Sequence, residues 1–336
     1  MKQYHVYGIG NALLDIEFEV NFEFFAQHGI EKSVMTLVDE GRQALVLNYL
    51  GLANHRKIAS GGSAANTMIA IQQFGSLGFY TCKIANDEAG DHYYREMRTA
   101  GLDSNFDTQV RQSGSTGKCL AMITNDADRT MNTFLGISET LSEEELNLEA
   151  LQNSEYLYIE GYLMTSPTAC KAVKKAKQLA RAHNVKTSIS LSDPAIVKYF
   201  KGQFLELINE GVDLLFCNYE EAAEFCDSTN LEVIKQTLQT VAKCFVITRG
   251  AKGSIVFDGQ DYIEIAAVNV LAIDTLGAGD IYAGAFLAAI TQGYSYEFAG
   301  RLASLASATV VAQYGPRLSQ QEIDIIKDQL LAEAAV

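Results

Sequence analysis

Apolar and polar positions along the 336-residue chain fall into short units that switch between two periods. After an apolar run from Tyr4 to Gly10, the stretch IEFEVNF puts Ile16, Phe18, Val20 and Phe22 at every second position, the period of a strand with one wet face. Asp39 to about Leu50 has helical spacing, and GGSAANTMIAIQQFG opens a helix with a glycine pair and closes it at Gly75. From there strand-like and helix-like segments alternate: GFYTCKI then EAGDHYYREMRTAG, SEYLYIE then SPTACKAVKKAKQLARAHN, VKTSISL then AIVKYFKGQFLELI, VDLLFC then YEEAAEFC. Such alternation predicts βαβ units and a three-layer α/β/α arrangement, with helices on both faces of a mainly parallel central sheet. TGKCLAMIT and RTMNTFL interrupt the alternation as a hairpin around Asn125 to Asp128, and with Ile16 to Phe22 they predict a small separate β-sheet. The last third reads CFVITRG, KGSIVFD and DYIEIAAV, followed by three helices starting near Gly277, Tyr296 and Ser319. With three prolines, no internal repeat and no linker composition, the pattern predicts one domain over residues 1–336, with a small-sheet lid made from insertions at about 16–59 and 106–136.

Composition narrows the function classes. An apolar content of 48% with 20% charged residues argues for a packed globule rather than disorder. Lys and Arg number 26 against 41 Asp and Glu, a net charge of −15 that repels nucleic-acid backbones and anionic membrane faces. A phosphorylated substrate would therefore have to be held by local backbone donors, a few placed cations or a metal. Six cysteines without C-x-x-C spacing and five isolated histidines offer no paired metal ligands and suit reduced thiols in a cytoplasmic protein. Asp15 comes too early for a secretory signal, and no uncharged stretch reaches membrane-spanning length.

The stretch AIDTLGAGDIYAGAFLAAI carries the most chemistry. An apolar strand end reaches Asp274 and Thr275, turns through Gly277, Ala278 and Gly279, and enters an apolar helix at Asp280. Free amides at such a helix start form an anion site. Asp280 can be a plain N-terminal cap; beside an anion site it also suits a base that deprotonates an attacking hydroxyl. A second glycine-opened helix places Ser63 and Asn66 three residues apart after Gly62, and Asn11 and Asp15 follow the first strand. These small polar groups near strand ends suit hydrogen bonding to vicinal hydroxyls, or serve as caps and turns. GIGNAL lacks the third glycine of a dinucleotide fingerprint, because Leu13 stands there, and no G-x-x-x-x-G-K-[ST] occurs.

GGSAAN and DTLGAGD together resemble the two signatures of the ribokinase-like (PfkB) carbohydrate and purine kinase family, over essentially the whole chain. Within it GNALLDI, GSTGKCLAMIT, YIEGYLMTSP and LLFCNYEEAAEF look more like adenosine kinases than ribokinases or fructokinases. The resemblance implies a ribokinase-like fold and ATP-dependent transfer to the 5′-hydroxyl of a nucleoside, adenosine to AMP. Asp280 would be the general base and the Gly277, Ala278 and Gly279 amides the anion hole. It implies Mg²⁺ placed through Asn218 and Glu221, which read otherwise as ordinary helix-surface residues. It puts Thr248, Gly250 and Gly253 beside ATP, where a simple strand turn is the plain reading. On the acceptor side it implies Asn11 and Asp15 at the ribose, flanked by Gly62, Ser63 and Asn66, and Tyr162 stacked on the base or packed in the core. Arg129 matches a lid-hairpin arginine that swings toward the phosphates in related enzymes, or is a solvated surface group. The family also binds a monovalent cation such as K⁺, whose ligands the sequence does not assign. Partners would be a small nucleoside or sugar, without nucleic acid or membrane, in a monomer or homodimer. A sugar kinase of the same family and a non-catalytic binding protein on the same fold remain as alternatives.

Overall fold

A computed structural model describes residues 2–51, 54–107, 109–125 and 129–334. The chain forms β1 (Tyr4–Ile9), β2 (Leu13–Glu19), α1 (Phe22–His28), β3 (Met35–Leu37), α2 (Glu40–Leu50) and β4 (Asn54–Gly61). It continues through α3 (Ser63–Gln73), β5 (Gly78–Thr81), α4 (Glu88–Thr99), β6 (Asp103–Ser104), β7 (Thr116–Ile123) and β8 (Arg129–Gly136). Next come α5 (Leu148–Gln152), β9 (Ser154–Glu160), α6 (Pro167–Ala182), β10 (Lys186–Ser190), α7 (Pro194–Ile208), β11 (Val212–Asn218), α8 (Tyr219–Cys226) and α9 (Leu231–Gln239). The chain ends with β12 (Ala242–Thr248), β13 (Ser254–Phe257), β14 (Tyr262–Ile265), α10 (Ala278–Thr291), α11 (Tyr296–Val311) and α12 (Gln320–Ala334).

Among the described residues nine strands form the large sheet, in the order β14-β13-β12-β11-β10-β9-β1-β5-β6. The pairs from β12 to β6 are parallel, and β13 and β14 close one edge as an antiparallel hairpin. Period-two alternation fills two cores. Tyr156 and Tyr158 of β9 and Leu214 and Phe216 of β11 face a core shared with α3, α10 and α11. Leu157, Ile159, Leu215 and Cys217 face a second core shared with α6, α7 and α8. This is a three-layer α/β/α fold with a smaller second sheet.

Chain progression reverses beside β1: the path from β1 leads to β5 and β6 on one side, while β9 to β12 build outward on the other. A crevice therefore opens beyond the carboxyl ends of β1 and β9, the position where open α/β sheets bind ligands.

The second sheet runs β3-β8-β7-β2-β4 and is larger than the alternation predicted. The strand expected from Ile16 to Phe22 starts earlier, at Leu13, and stops at Glu19. Asn21 caps a new helix by accepting the Phe24 amide at 3.0 Å, so Phe22 opens α1 instead of ending a strand. The short β3 and the polar β4 carry no alternation to reveal them. The expected wet face is also absent. Phe18, Leu120 and Met122 pack under Phe25 of α1 and Val46 and Leu50 of α2. The opposite positions, Cys119 and Ala121, line a cavity over the large sheet. The hairpin tip expected around Asn125 to Asp128 lies mostly outside the described residues, at 126–128.

Helices α3 and α10 cross at backbone distance. A Cβ on Gly284 would stand 2.5 Å from the Ala70 methyl and 2.7 Å from the Thr67 carbonyl oxygen. Gly284→Val should therefore part the two helices and destabilise the protein by about 1–3 kcal/mol or more. Thermal unfolding checks this: an unchanged melting temperature would contradict the close packing.

Candidate active site

Two glycine-opened helices meet at one carboxylate. Gly277, in the left-handed region at φ 75°, turns the chain into α10, where a side chain on it would strike Pro316. Buried Asp274 fixes this turn by accepting the Leu276 amide at 3.0 Å and the Gly315 amide at 2.8 Å. The helix starts at Ala278, close to the expected start near Gly277, so Asp280 sits in its first turn and does not open it. Gly62, at φ 99°, similarly opens α3, because its Cα faces the Asn11 carbonyl oxygen too closely for any side chain. Ser63 Oγ donates to Asp280 Oδ1 at 2.6 Å and Asn66 Nδ2 to Oδ2 at 3.0 Å. Ser63 and Asn66 thus hold the carboxylate, a role their spacing alone did not suggest.

The amides at the start of α10 differ from the expected triplet. Ala278 donates back to the Thr275 carbonyl at 3.3 Å, because it belongs to the turn that enters the helix. Among the described residues no acceptor takes the amides of Gly277, Gly279 or Asp280, so these three are the donors available to an anion.

Asp280 stands in the wall between two cavities. One, of about 800 Å³, is lined by Thr248, Gly250 and Gly253 on the β12–β13 turn, and by Ala278 and Gly279. The other, of about 480 Å³, lies under the second sheet and is lined by Asn11, Asp15, Gly62, Asn66 and Tyr162. Both share Ser63, Ser192, Asn218, Glu221, Thr275, Gly279 and Asp280. The predicted residues thus gather at one crevice, except Arg129: its backbone opens β8, and its side chain lies outside the described residues.

Burial sets the electrostatics. Desolvation raises the Asp280 carboxyl above its ordinary value, against the hydrogen bonds from Ser63 and Asn66 and the Arg317 charge. Glu160, at the end of β9, is 1% exposed and pushed up to about 7, first by burial and then by the Asp280 charge. It accepts the Asn11 amide at 3.1 Å, Asn11 Nδ2 at 3.0 Å and the Ala64 amide at 2.8 Å, which clamps the β1 end to α3. Tyr162 is half-buried: it packs on the second core and lines the smaller cavity, so both readings of it hold in part. Burial and four carboxylates, from Asp193 to Glu160, push its hydroxyl well above the usual range.

Residues 37–323 match the pfkB family carbohydrate kinase pattern. The chain belongs to the PfkB family. Adenosine kinase of Saccharomyces cerevisiae is 26% identical over 341 residues, covering 95% of this chain and 98% of that one. The solved structure of adenosine kinase from Sinorhizobium meliloti superposes with a TM-score of 0.90 at 32% identity, covering 97% and 99% of the two chains. A probable sugar kinase from Rhizobium etli CFN 42 gives 0.90 at 30% identity, covering 98% and 100%. This PfkB kinase is accordingly similar to kinases of nucleosides and of sugars.

PfkB kinases use ATP, typically with Mg²⁺, an ion that binds through few carboxylates and keeps several waters. Among the described residues no cluster of three or more His, Cys, Asp or Glu could cage an ion. Asn218 and Glu221 form the capping box of α8: Asn218 N donates to Oε2 at 3.0 Å, Asn218 Nδ2 to Oε1 at 2.7 Å, and Glu221 N to Asn218 Oδ1 at 2.7 Å. Glu221 is therefore buried, not an ordinary surface acid, and desolvation with neighbouring carboxylates raises it to about 7. Each of its oxygens accepts one hydrogen bond and so keeps acceptor capacity, and the residue lines both cavities, which fits Mg²⁺ held through its own waters and a triphosphate. Among the described residues no helix is long and apolar enough to cross a membrane.

The sequence reading missed Glu160, Ser192 and Arg317, and named Asp274 without its turn-fixing role. A lone acid ending the apolar run SEYLYIE and a basic residue after a rare proline in YGPRL were the available signals. The raised carboxyls give a testable pH dependence. Glu160 and Glu221 sit at about 7 in the fold against 4.5 ordinarily, so between those pH values the native state binds more protons than the unfolded chain, and stability falls as pH rises. Asp87, Glu96 and Asp213, held below their ordinary values, lose their contribution only at more acid pH. The melting temperature should drop by about 2–5 °C between roughly pH 5.5 and 8, and Glu160→Gln should flatten the decline. A melting temperature that rises over this range would contradict the assignment.

Proposed function

We propose that this PfkB kinase transfers the γ-phosphoryl group of ATP to the 5′-hydroxyl of adenosine, forming AMP, with Asp280 as general base. The observation that supports this reading is the shared wall: Asp280 faces both a cavity edged by glycine turns and a cavity edged by hydroxyl-binding groups. The triphosphate would enter the larger cavity beside Thr248, Gly250 and Gly253, with its γ-phosphate on the free amides at the start of α10. The acceptor would place its ribose against Asn11 and Asp15. The Asp280 carboxylate takes the proton of the 5′-hydroxyl as the hydroxyl oxygen attacks the γ-phosphorus in line, and the β-phosphate oxygen leaves. The amides of Gly277, Gly279 and Asp280 stabilise charge on the transferring group without reorganisation. Asn218 and Glu221 would hold Mg²⁺, which would supply positive charge against the triphosphate.

A nucleoside is favoured over a free sugar by the composition of the acceptor cavity. Met35, Leu37, Ala121, Met131 and Leu135 of the second sheet, with Ile196 opposite, present an apolar roof beside Tyr162. A flat heterocycle fills such a space and stacks on one ring for about 1–3 kcal/mol; a free pentose leaves it wet. In this reading the second sheet acts as a lid that excludes water from the transferring group. A sugar kinase is the second reading, supported by Glu160, which adds a third acidic or amide group beside Asn11 and Asp15 and so enriches the hydroxyl-binding end.

Purified protein offered adenosine, inosine, guanosine, ribose and fructose with ATP and Mg²⁺ should turn over adenosine best, and turnover of a free sugar without any nucleoside would overturn the acceptor assignment. Asp280→Asn should lower kcat by about 10² to 10⁴ with little change in ATP binding. Near-normal turnover in that variant would remove Asp280 from the mechanism.

A further inference from the structure

Arg317 lies in the loop between α11 and α12, and its guanidinium reaches under the crevice. Nε donates to Asn66 Oδ1 at 2.9 Å, Nη1 to Ser60 Oγ at 3.0 Å, and Nη2 to the Ser60 carbonyl. Glu96 of α4 accepts the Ser60 amide and stands 3.8 Å from Nη1. Ser60 is fully buried in β4, one residue from its end, and therefore sits where the second sheet feeds into α3.

An asparagine amide has one accepting and one donating end that are nearly the same shape. Turned one way, Asn66 donates to Asp280; turned the other way, its oxygen faces the carboxylate oxygens and repels them. A guanidinium has donors only, so Arg317 Nε can bond Asn66 only through Oδ1, which leaves Nδ2 for Asp280. The same guanidinium grips Ser60 through its other two nitrogens. We propose that Arg317 is a positioning residue: it fixes the amide orientation of Asn66, and so the orientation of the Asp280 carboxylate, and ties both to the root of the second sheet. The proposal rests on the phosphoryl-transfer reading only for its kinetic consequence; the geometry of the chain Ser60, Arg317, Asn66, Asp280 stands without it.

The charge environment of Asp280 decides how the test reads. Facing it are Ser63 and Asn66 from α3, Tyr158 and Glu160 from β9, Tyr162 from the turn after β9, Glu221 from α8, and Arg317. Arg317 is the cation in this set, and it is also close to Glu96, Asp15 and Tyr93. Removing it takes away both the amide lock and the positive charge that lowers the Asp280 carboxyl.

A double-mutant cycle tests this with adenosine, ATP and Mg²⁺. Arg317→Gln should lower kcat about 10- to 100-fold through misplacement of the base, with KM for ATP within about twofold, and should move the acid limb of the kcat profile to higher pH. In an Asn66→Ala background the same substitution should cost less than about threefold, because the residue through which it acts is gone. Arg317→Lys keeps the charge without the fork, so the acid limb should stay near wild type while kcat stays low; it also carries the cycle if Arg317→Gln melts below the assay temperature. Fully additive losses with an unmoved acid limb would reduce Arg317 to a packing role and overturn the proposal. A second readout needs no turnover: the carboxyl ¹³C titration of Asp280, assigned through Asp280→Asn, should move to higher pH in Arg317→Gln. If that titration moves while the wild type phosphorylates none of the acceptors, the phosphoryl-transfer reading fails and the positioning role stands. If turnover is normal and the titration does not move, the positioning role alone fails.

Discussion

The structure depends on two helix starts being brought close enough to share one carboxylate. Helix α10 supplies Asp280, and α3 supplies the hydroxyl and amide that hold it. Neither helix could approach so closely with ordinary side chains at the contact. Gly284 against Ala70 and Thr67, Gly277 against Pro316, and Gly62 against the Asn11 carbonyl are the places where backbone meets backbone. Small residues here have a geometric function: they let amide-bearing helix ends point into one crevice while Asp280 remains at the boundary of two cavities.

That arrangement carries an electrostatic cost that explains other parts of the site. Glu160, Glu221 and Asp280 are all raised by burial, and the Asp280 charge raises the other two further. Each accepts hydrogen bonds that partly offset this: from Asn11 and Ala64 to Glu160, from Asn218 to Glu221, and from Ser63 and Asn66 to Asp280. In a chain of net charge −15, such a site suits a polyanion only where backbone donors and a hydrated cation offset the carboxylates. The PfkB family assignment and the free amides of α10 agree with that requirement.

The layered sheet was legible because strand-like apolar runs alternate with helical segments; Tyr156, Leu157, Tyr158 and Ile159 form such a run because both faces of the strand are buried. The glycine-opened helices were legible because Gly62 and Gly277 stand where no other residue fits. The second sheet was only half legible. β4 carries charged and polar residues without alternation, and Asn21 caps a helix in what reads as continuous strand. Ser63 and Asn66 were found but given to the acceptor alone, since spacing cannot tell a group that meets a ligand from one that meets a carboxylate 217 or 214 residues away. Glu160 and Arg317 were missed because each is a single charge whose partners are remote in sequence.

The central claim is that Asp280 lies between an alcohol and a phosphorus atom. A crystal structure with adenosine, Mg²⁺ and a non-hydrolysable ATP analogue tests it most directly. The account predicts the 5′-oxygen within about 2.6–3.2 Å of an Asp280 carboxylate oxygen, and the γ-phosphate on the amides of Gly279 and Asp280. A nucleoside bound with its 5′-oxygen turned away from Asp280, or a triphosphate that leaves those amides untouched, would contradict it.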